Sequence, residues 1–221
     1  MTQTVHVITL SMPLGMGSVN CYLLESPQGV ILVDTGSSNK RLELDQELER
    51  LGCRPENLKL ILLTHGDFDH TGNAAYLSQK YGTRTAMHAA DAAIVERGDM
   101  FIDRGKVNFL VRKLIPLMSG FGKAERFAPD ILVDPDFDLA VYGLDARILH
   151  LPGHSKGSIG ILTADGDLIS GDLVENTKTP VLNSMLDELS SAQASLEALN
   201  KLEIKTVYPG HGEPFPFQQL N

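Results

Sequence analysis

Cysteine is scarce in this chain of 221 residues: Cys21 and Cys53 are too few for a disulfide framework. A reducing cytoplasm is the simple expectation. Long apolar runs are also missing. None approaches the roughly 20 residues that cross a bilayer, so no membrane span is expected. Met1-Thr2-Gln3-Thr4-Val5-His6 carries neither a basic opening nor a long apolar stretch, which argues against a secretory signal. Positive charge is in deficit. Against 28 Asp and Glu stand 19 Lys and Arg, a net charge of −9. That balance opposes nonspecific binding to nucleic acid. No repeat of short fixed period and no low-complexity linker occurs. What is present, 43% hydrophobic residues, suffices for one sizeable core, and the length suits a single domain.

The apolar pattern gives the elements. Val5–Leu10, Val19–Glu25 and Gly29–Asp34 read as successive strands. In Asn39–Leu51, Leu42, Leu44, Leu48 and Leu51 recur among charges, which predicts an amphipathic helix. Leu58–Leu63 ends in Leu60-Ile61-Leu62-Leu63, the continuous run of a strand buried on both faces. A helix over Ala74–Tyr81, a strand over Arg84–Met87 and a helix over Ala89–Glu96 follow. Phe137–Val141, Ala146–Leu151, Ser158–Thr163 and Leu168–Ser170 form a second group of strands. Ala192–Leu202 is helical and Ile204–Tyr208 is a last strand. Strands in runs with single helices between them predict an α+β protein of two packed sheets with helices outside.

Chemistry concentrates at the ends of these strands. Thr64–His70 reads Thr-His-Gly-Asp-Phe-Asp-His, two imidazoles and two carboxylates on the loop after a buried strand. Open α/β sheets bind ligands at that place. Side chains alternate in an extended chain. His65, Asp67 and Asp69 would then share one side and His70 the other, feeding two neighbouring centres. The plainer alternative is a polar turn with Asp69 or Thr71 as helix cap. Leu149–Ser155 and Tyr208–Glu213 repeat the pattern: an apolar strand, Pro-Gly, then His154 or His211. Leu168–Asp172 ends in Gly-Asp. Glycine permits tight backbone paths at such points. One histidine at a strand end is commonly a packing residue; four, with acids nearby, are hard to explain as packing.

The order Asp34-Thr35-Gly36, then His65-x-Asp67-x-Asp69-His70, then His154, Asp172 and His211 resembles the metallo-β-lactamase superfamily, from about Val5 to Phe215. The resemblance implies a four-layer αββα sandwich, two mixed sheets face to face with helices outside, and a two-metal site along one edge. His65, Asp67 and His154 would hold one divalent metal ion. Asp69, His70 and His211 would hold the other, and Asp172 would bridge them. Zinc is the commonest metal of that family. The resemblance also makes Asp34 an acid that orients a ligand from behind, where the residues alone equally suggest an Asx turn. Asn20, Cys21 and Tyr22 match a common strand of the family and are assigned to packing. His6 is read as a strand residue, His88 as a helix cap or surface residue, and His150 as structural.

Asp67 departs from the common family pattern, which has a histidine there. Three carboxylates instead of two would then surround the ions. Extra oxygen ligation favours harder metals such as manganese or iron relative to zinc. Three carboxylates and a bridging hydroxide would cancel the charge of two divalent cations. If Asp67 did not reach, the first site would be weak or empty.

The implied activity is that of a metallo-hydrolase. A metal-bridging hydroxide would cleave a small ester, lactone or thioester, with Asp69 or Asp172 passing a proton to the leaving group. Glyoxalase-II-like hydrolases and acyl homoserine lactone lactonases are the nearest kinds. The extra C-terminal helical domain of the former has no counterpart after His211, so a glutathione thioester is not favoured. Two rivals stay open. One is a di-iron or mononuclear iron oxidoreductase, since di-iron flavoproteins of the superfamily also carry a carboxylate at the Asp67 position. The other is a non-catalytic metal-binding protein.

From Gly98 to Asp130 the strand pattern breaks off. This stretch carries Arg104, Lys106, Arg112, Lys113, Lys123 and Arg126 in an otherwise acidic chain, beside many apolar residues. The spacing predicts a helix over Val107–Met118, complicated near its end by Pro116. The segment, about 98–130 within a single domain of residues 1–221, is expected to be a helical cap. It would give the metals an apolar pocket and a cationic rim for a small-molecule substrate. A helix packed on the core or at a homodimer interface accounts for it equally well. Asn176–Leu189 would close another side.

Overall fold

A strand buried on both faces needs apolar residues of both parities, and the central runs supply them. The computed structural model describes residues 3–15, 17–102, 104 and 108–220. The chain runs β1 (Thr4–Ser11), β2 (Ser18–Ser26), β3 (Gly29–Val33), α1 (Arg41–Arg50), β4 (Leu58–Leu62), α2 (Phe68–Thr71), α3 (Ala74–Tyr81), β5 (Thr85–His88), α4 (Ala89–Arg97), α5 (Phe109–Ser119) and β6 (Ile131–Val133). It continues through β7 (Ala146–His150), β8 (Ile159–Thr163), β9 (Asp167–Gly171), β10 (Val174–Glu175), β11 (Val181–Leu182), α6 (Leu189–Leu199), β12 (Thr206–Pro209) and β13 (Phe215–Pro216). The first sheet has the order β1-β2-β3-β4-β5-β6, antiparallel up to β3 and parallel from there. The second has the order β13-β12-β9-β8-β7, antiparallel except between β9 and β12.

Parity decides what each strand residue touches. Val30, Leu32 and Ile61 pack with Leu44, Leu48, Leu77 and Val95 of the first helical layer. Ile31, Val33, Leu60 and Leu62 meet Ile148, Ile159, Ile161 and Ile169 of the second sheet. On the far side of that sheet, Leu162, Leu168 and Val207 cover Ala192 and Leu199 of α6. Each such side chain, fully buried, contributes about 1.5–3 kcal/mol. The layers are helices, sheet, sheet, helix, which is the αββα sandwich expected. The strands β4, β7, β9 and β12 each end just before one of the histidine or acid segments.

Three segments differ from the expected elements. Phe137–Val141 is not a strand. Leu139–Tyr142 forms a single 3-10 turn, because the Asp138 side chain accepts a hydrogen bond from the Ala140 N–H at 2.9 Å. Such a local bond offers the backbone an alternative to a sheet ladder, and the edge position goes to β6. Helix α6 starts and ends three residues earlier than Ala192–Leu202. Helix α5 continues past Pro116 to Ser119 and stops at Gly120, whose φ of 74° is left-handed. Val107 lies outside the described residues. Among the described residues, no helix is long and apolar enough to cross a membrane, and both cysteines are free and buried.

Candidate metal centre

The Thr64–His70 segment is not extended, so strand alternation does not aim its side chains. Asp67 has φ −69° and ψ 147°, and α2 begins at Phe68. His65 and Asp67 therefore leave a loop, while Asp69 and His70 leave the first turn of a helix. Asp67 occupies the capping position without a side-chain cap bond, so neither Asp69 nor Thr71 is the cap. His154, Asp172 and His211 arrive on the loops after β7, β9 and β12.

These loops converge. His65, His154 and Asp172 present ligand atoms that all lie within 4.8 Å of one another, and so do Asp69, His70 and His211. Asp172 stands between the groups. Its Oδ2 lies 3.2 Å from His211 Nε2 and 3.9 Å from His154 Nε2, and its Oδ1 lies 3.4 Å from His70 Nε2. The approach is so close at Gly210 that a Cβ there would overlap the Asp172 carboxylate.

Each of the four imidazoles is held from behind by an acceptor at Nδ1. His70 Nδ1 lies 2.9 Å from Asp34 Oδ2, His154 Nδ1 2.6 Å from the Met185 carbonyl, and His211 Nδ1 2.7 Å from the Ser18 carbonyl. His65 Nδ1 lies 2.9 Å from Thr64 Oγ1, whose own hydrogen goes to Asp34 Oδ2 at 2.7 Å. Every Nδ1 must therefore donate, so each ring, once neutral, keeps its proton there and turns the Nε2 lone pair inward. That tautomer is the one metal-binding histidines adopt. Asp34 thus orients His70 directly and His65 through Thr64.

Several of the inward atoms have nothing to bond. His65 Nε2, His70 Nε2 and Asp172 Oδ1 are buried without a hydrogen-bond partner among the described residues. Each such group costs about 1–3 kcal/mol. Three together, facing one another, are what a bound cation would relieve, so the donor set fits metal ions. Charge coupling is strong. Burial, helped by His70 and His154, pushes His65 well below the ordinary histidine pKa. Burial acts the same way on His70, but Asp172, Asp34 and Asp69 outweigh it and raise its pKa. Against its burial, His211 is pushed up to about 9 by Asp172. Burial would raise Asp172, yet His211 and His70 hold it well below the usual carboxylate range.

The sequence model of the metallo-beta-lactamase superfamily matches residues 14–211. The chain belongs to that superfamily. It is 30% identical over 203 residues to a probable metallo-hydrolase of Methanocaldococcus jannaschii, covering 89% of this chain and 88% of that one. Hydroxyacylglutathione hydrolase GloC of Haemophilus influenzae is also 30% identical, over 87% of this chain and 85% of its own. Acyl-coenzyme A thioesterase MBLAC2 of Gallus gallus is 26% identical over 91% of this chain and 75% of its own. Among solved structures, TTHA1623 in a di-iron-bound form superposes with a TM-score of 0.72 at 26% identity, over 97% of this chain and 96% of that one. The superfamily binds metal ions, and these relatives make the chain a metallo-hydrolase.

Three side chains at the centre of this metallo-beta-lactamase fold take roles the sequence did not give them: Arg104 is expected only in a cationic rim, Asn20 only in packing, and Asp91 not at all. Arg104 comes from the inserted segment and lies with Nη1 2.8 Å from Asp67 Oδ1. It holds Asp67, which also approaches His154 Nε2 at 3.1 Å and His65 Nε2 at 4.0 Å through Oδ2. Burial would raise the Asp67 pKa, but the His154 bond and Arg104 keep it well below the carboxylate range. Asp91, buried, accepts from Gly66 N–H, Ser155 Oγ and Gly157 N–H at 3.0, 2.6 and 2.8 Å. It thereby braces the two loops that carry His65 and His154. Asn20 does more than pack: its amide donates to the Pro209 and Gly212 carbonyls and pins the loop of His211. The other histidines match their readings. His6 pairs with Glu25, His88 caps α4 through Nδ1, and His150 stacks on His88.

The inserted segment sits over this centre. Phe121 stacks on Phe68 of α2, ring centroids 4.0 Å apart, with Ile94 and Met100 around them. A cavity of about 550 Å³ opens above the donors, with Asp67, Asp69, His154 and Asp172 in its floor. Met12, Met100, Phe101, Ile115, Met118 and Met185 line its walls.

Proposed function

We propose that this metallo-hydrolase cleaves an ester, lactone or thioester whose acyl part is apolar, at two divalent metal ions. His65, His154 and Asp172 would hold one, faced by Asp67. Asp69, His70 and His211 would hold the other, with Asp172 shared. The observation that carries the reading is the set of four imidazoles, each committed at Nδ1 to an acceptor with Nε2 turned inward. Two divalent ions there would supply Lewis acidity and a water of lowered pKa. The remaining work falls to side chains. Asp69, the more exposed of the two candidate acids at 19% against 3% for Asp172, faces the cavity and is placed to pass a proton to a leaving group. The methionine-rich walls suit chains of varied shape, because thioether side chains adapt to irregular surfaces.

The inserted segment acts as the substrate cap in this reading: Ile115 and Met118 of α5 face the cavity. The partner is a small molecule and the setting cytoplasmic, in keeping with two buried, unpaired cysteines. Length is no ground against a glutathione thioester, since the chain matches 85% of the hydrolase GloC. Zinc is the family's common metal. Iron or manganese is supported by the di-iron form of TTHA1623.

The test uses protein stripped by chelator and reloaded with zinc, manganese or iron. It is offered p-nitrophenyl esters, acyl-coenzyme A thioesters, acyl homoserine lactones and a glutathione thioester of graded acyl length. Metal-dependent turnover of one class is expected, with kcat/KM rising about fourfold per added methylene until the cavity is filled, since each buried methylene contributes about 0.8 kcal/mol. No metal-dependent turnover anywhere on the panel would sink the hydrolase reading. Turnover indifferent to chain length would sink the apolar pocket.

A further inference from the structure

We infer that Asp67 and Arg104 act as one electrically neutral unit beside the metal centre. Arg104 is then a positioning residue that sets how tightly the group of His65, His154 and Asp172 holds a divalent cation. The inference rests on the two-ion reading above. Arg104 reaches across the cavity from the segment before α5. Its Nη1 lies 2.8 Å from Asp67 Oδ1 and 3.0 Å from Oδ2, and its Nε donates to Asp187 at 3.0 Å. Only 12% of its side chain is exposed. Asp187 belongs to the loop whose Met185 carbonyl aims His154. One guanidinium therefore touches both an acid among the donors and the loop that orients an imidazole.

Charge gives this contact its consequence. Asp67, Asp69 and Asp172 are three carboxylates at one centre, and a guanidinium does not lose its proton in a protein. Arg104 offsets one of the three negative charges permanently, because its other partner, Asp187, is 30% exposed and screened by solvent. It also takes a hydrogen-bonding position on Asp67 Oδ2 that a cation would otherwise use, while Oδ1 accepts no hydrogen bond. With Arg104 present, the pair offers a cation no more net charge than a neutral imidazole would. The sequence suggests a more acidic site with a preference for harder metals; the ion pair removes most of that difference. Without Arg104, Asp67 is free to turn to a cation, and affinity should rise, more for manganese than for zinc. Without Asp67, the guanidinium is left unpaired beside a cation, and affinity should fall.

Four full-length proteins decide the matter: wild type, Arg104→Met, Asp67→His and the double variant. Each is stripped and titrated with zinc and with manganese against a chromophoric chelator, and thermal unfolding confirms that each is folded. Arg104→Met is expected to bind at least about tenfold tighter and Asp67→His at least about tenfold weaker, the scale on which partners of ligands act. The double variant should return to within about threefold of wild type. If Arg104→Met does not fold, Arg104→Lys keeps the charge and should stay near wild-type affinity, with Arg104→Gln binding tighter. Unchanged affinity on loss of the charge, or a double variant that stays as weak as Asp67→His, would overturn the inference. A guanidinium that only props the cavity wall would lower melting temperature and leave affinity alone. A wild type that takes up no divalent ion would overturn the two-ion reading itself.

Discussion

Replacing Asp34 by asparagine tests how the imidazoles are aimed. Asp34 has φ 61°, in the left-handed region, where asparagine is accommodated as readily as aspartate. The substitution therefore leaves the backbone alone and changes only the charge and one acceptor. In its buried site the carboxylate accepts from Thr64 N–H at 2.8 Å, Thr64 Oγ1 at 2.7 Å and His70 Nδ1 at 2.9 Å. An amide offers one oxygen. If that oxygen stays on the Thr64 N–H, the amide NH2 meets two groups that also donate. The Thr64 hydroxyl can turn and accept; His70 Nδ1–H cannot. Hydrogen bonds to a charged group contribute about 1.5–3 kcal/mol each, so the loss should come to about 3 kcal/mol after that rearrangement. In a protein of this size each kcal/mol moves the melting temperature by about 2–4 °C, so stripped Asp34→Asn should melt about 6–12 °C lower. His70 also loses the partner that turns Nε2 inward, and metal affinity should fall by about 10- to 100-fold. Calorimetry on stripped protein and chelator competition measure the two effects. A variant that melts within about 2 °C of wild type and keeps its affinity would refute the claim that Asp34 sets the tautomer of His70.

Gly210→Ala should fold but lose metal, because the new Cβ overlaps the Asp172 carboxylate; elemental analysis showing full occupancy would contradict this. Phe121→Ala removes half of the stack with Phe68 and should cost about 3 kcal/mol. It should raise KM for long acyl substrates while the metal content holds; loss of metal and folding together would instead make the inserted segment part of the core. His211 titrates near 9 when stripped, above the ordinary histidine value. A raised folded pKa stabilises fully below about pH 6.5, and that contribution is lost as pH climbs through about 9. The melting-temperature gap between stripped wild type and His211→Gln should therefore narrow across that window, and a widening gap would count against the His211–Asp172 pairing.

The layers of the fold and the convergence of the donors could be read from the chain because both follow from local rules. Leu60-Ile61-Leu62-Leu63 is apolar at both parities, so it must lie between two covered faces, and whatever follows it must emerge at a sheet edge. His65, His154, Asp172 and His211 each follow such a run, and they meet. Local rules failed where one short bond outweighed a pattern, as at Asp138, whose cap turned an expected strand into a 3-10 turn. They were blind to partners far apart in the chain. Arg104 lies 37 residues from Asp67, and Asp91 lies 64 from Ser155. The basic insertion suggests a cationic rim but not that Arg104 would pair with an acid among the donors, and an aspartate inside a helix of alanines gives no hint that it enters a buried centre. Yet they decide its chemistry. Counting carboxylates along Thr64–His70 yields a site more acidic than a histidine-rich one, and the count is right for the chain. The error lies in treating the ligand loop as electrically closed, because the compensating charge comes from the inserted segment. Where a buried acid appears in place of a neutral donor, its balancing cation must be sought in whatever segment folds over it, since an uncompensated buried charge costs several kcal/mol. In this molecule the segment that shapes the cavity is also the one that neutralises its floor. Substitutions meant to widen the cavity around Arg104 should therefore alter metal affinity as well as substrate range.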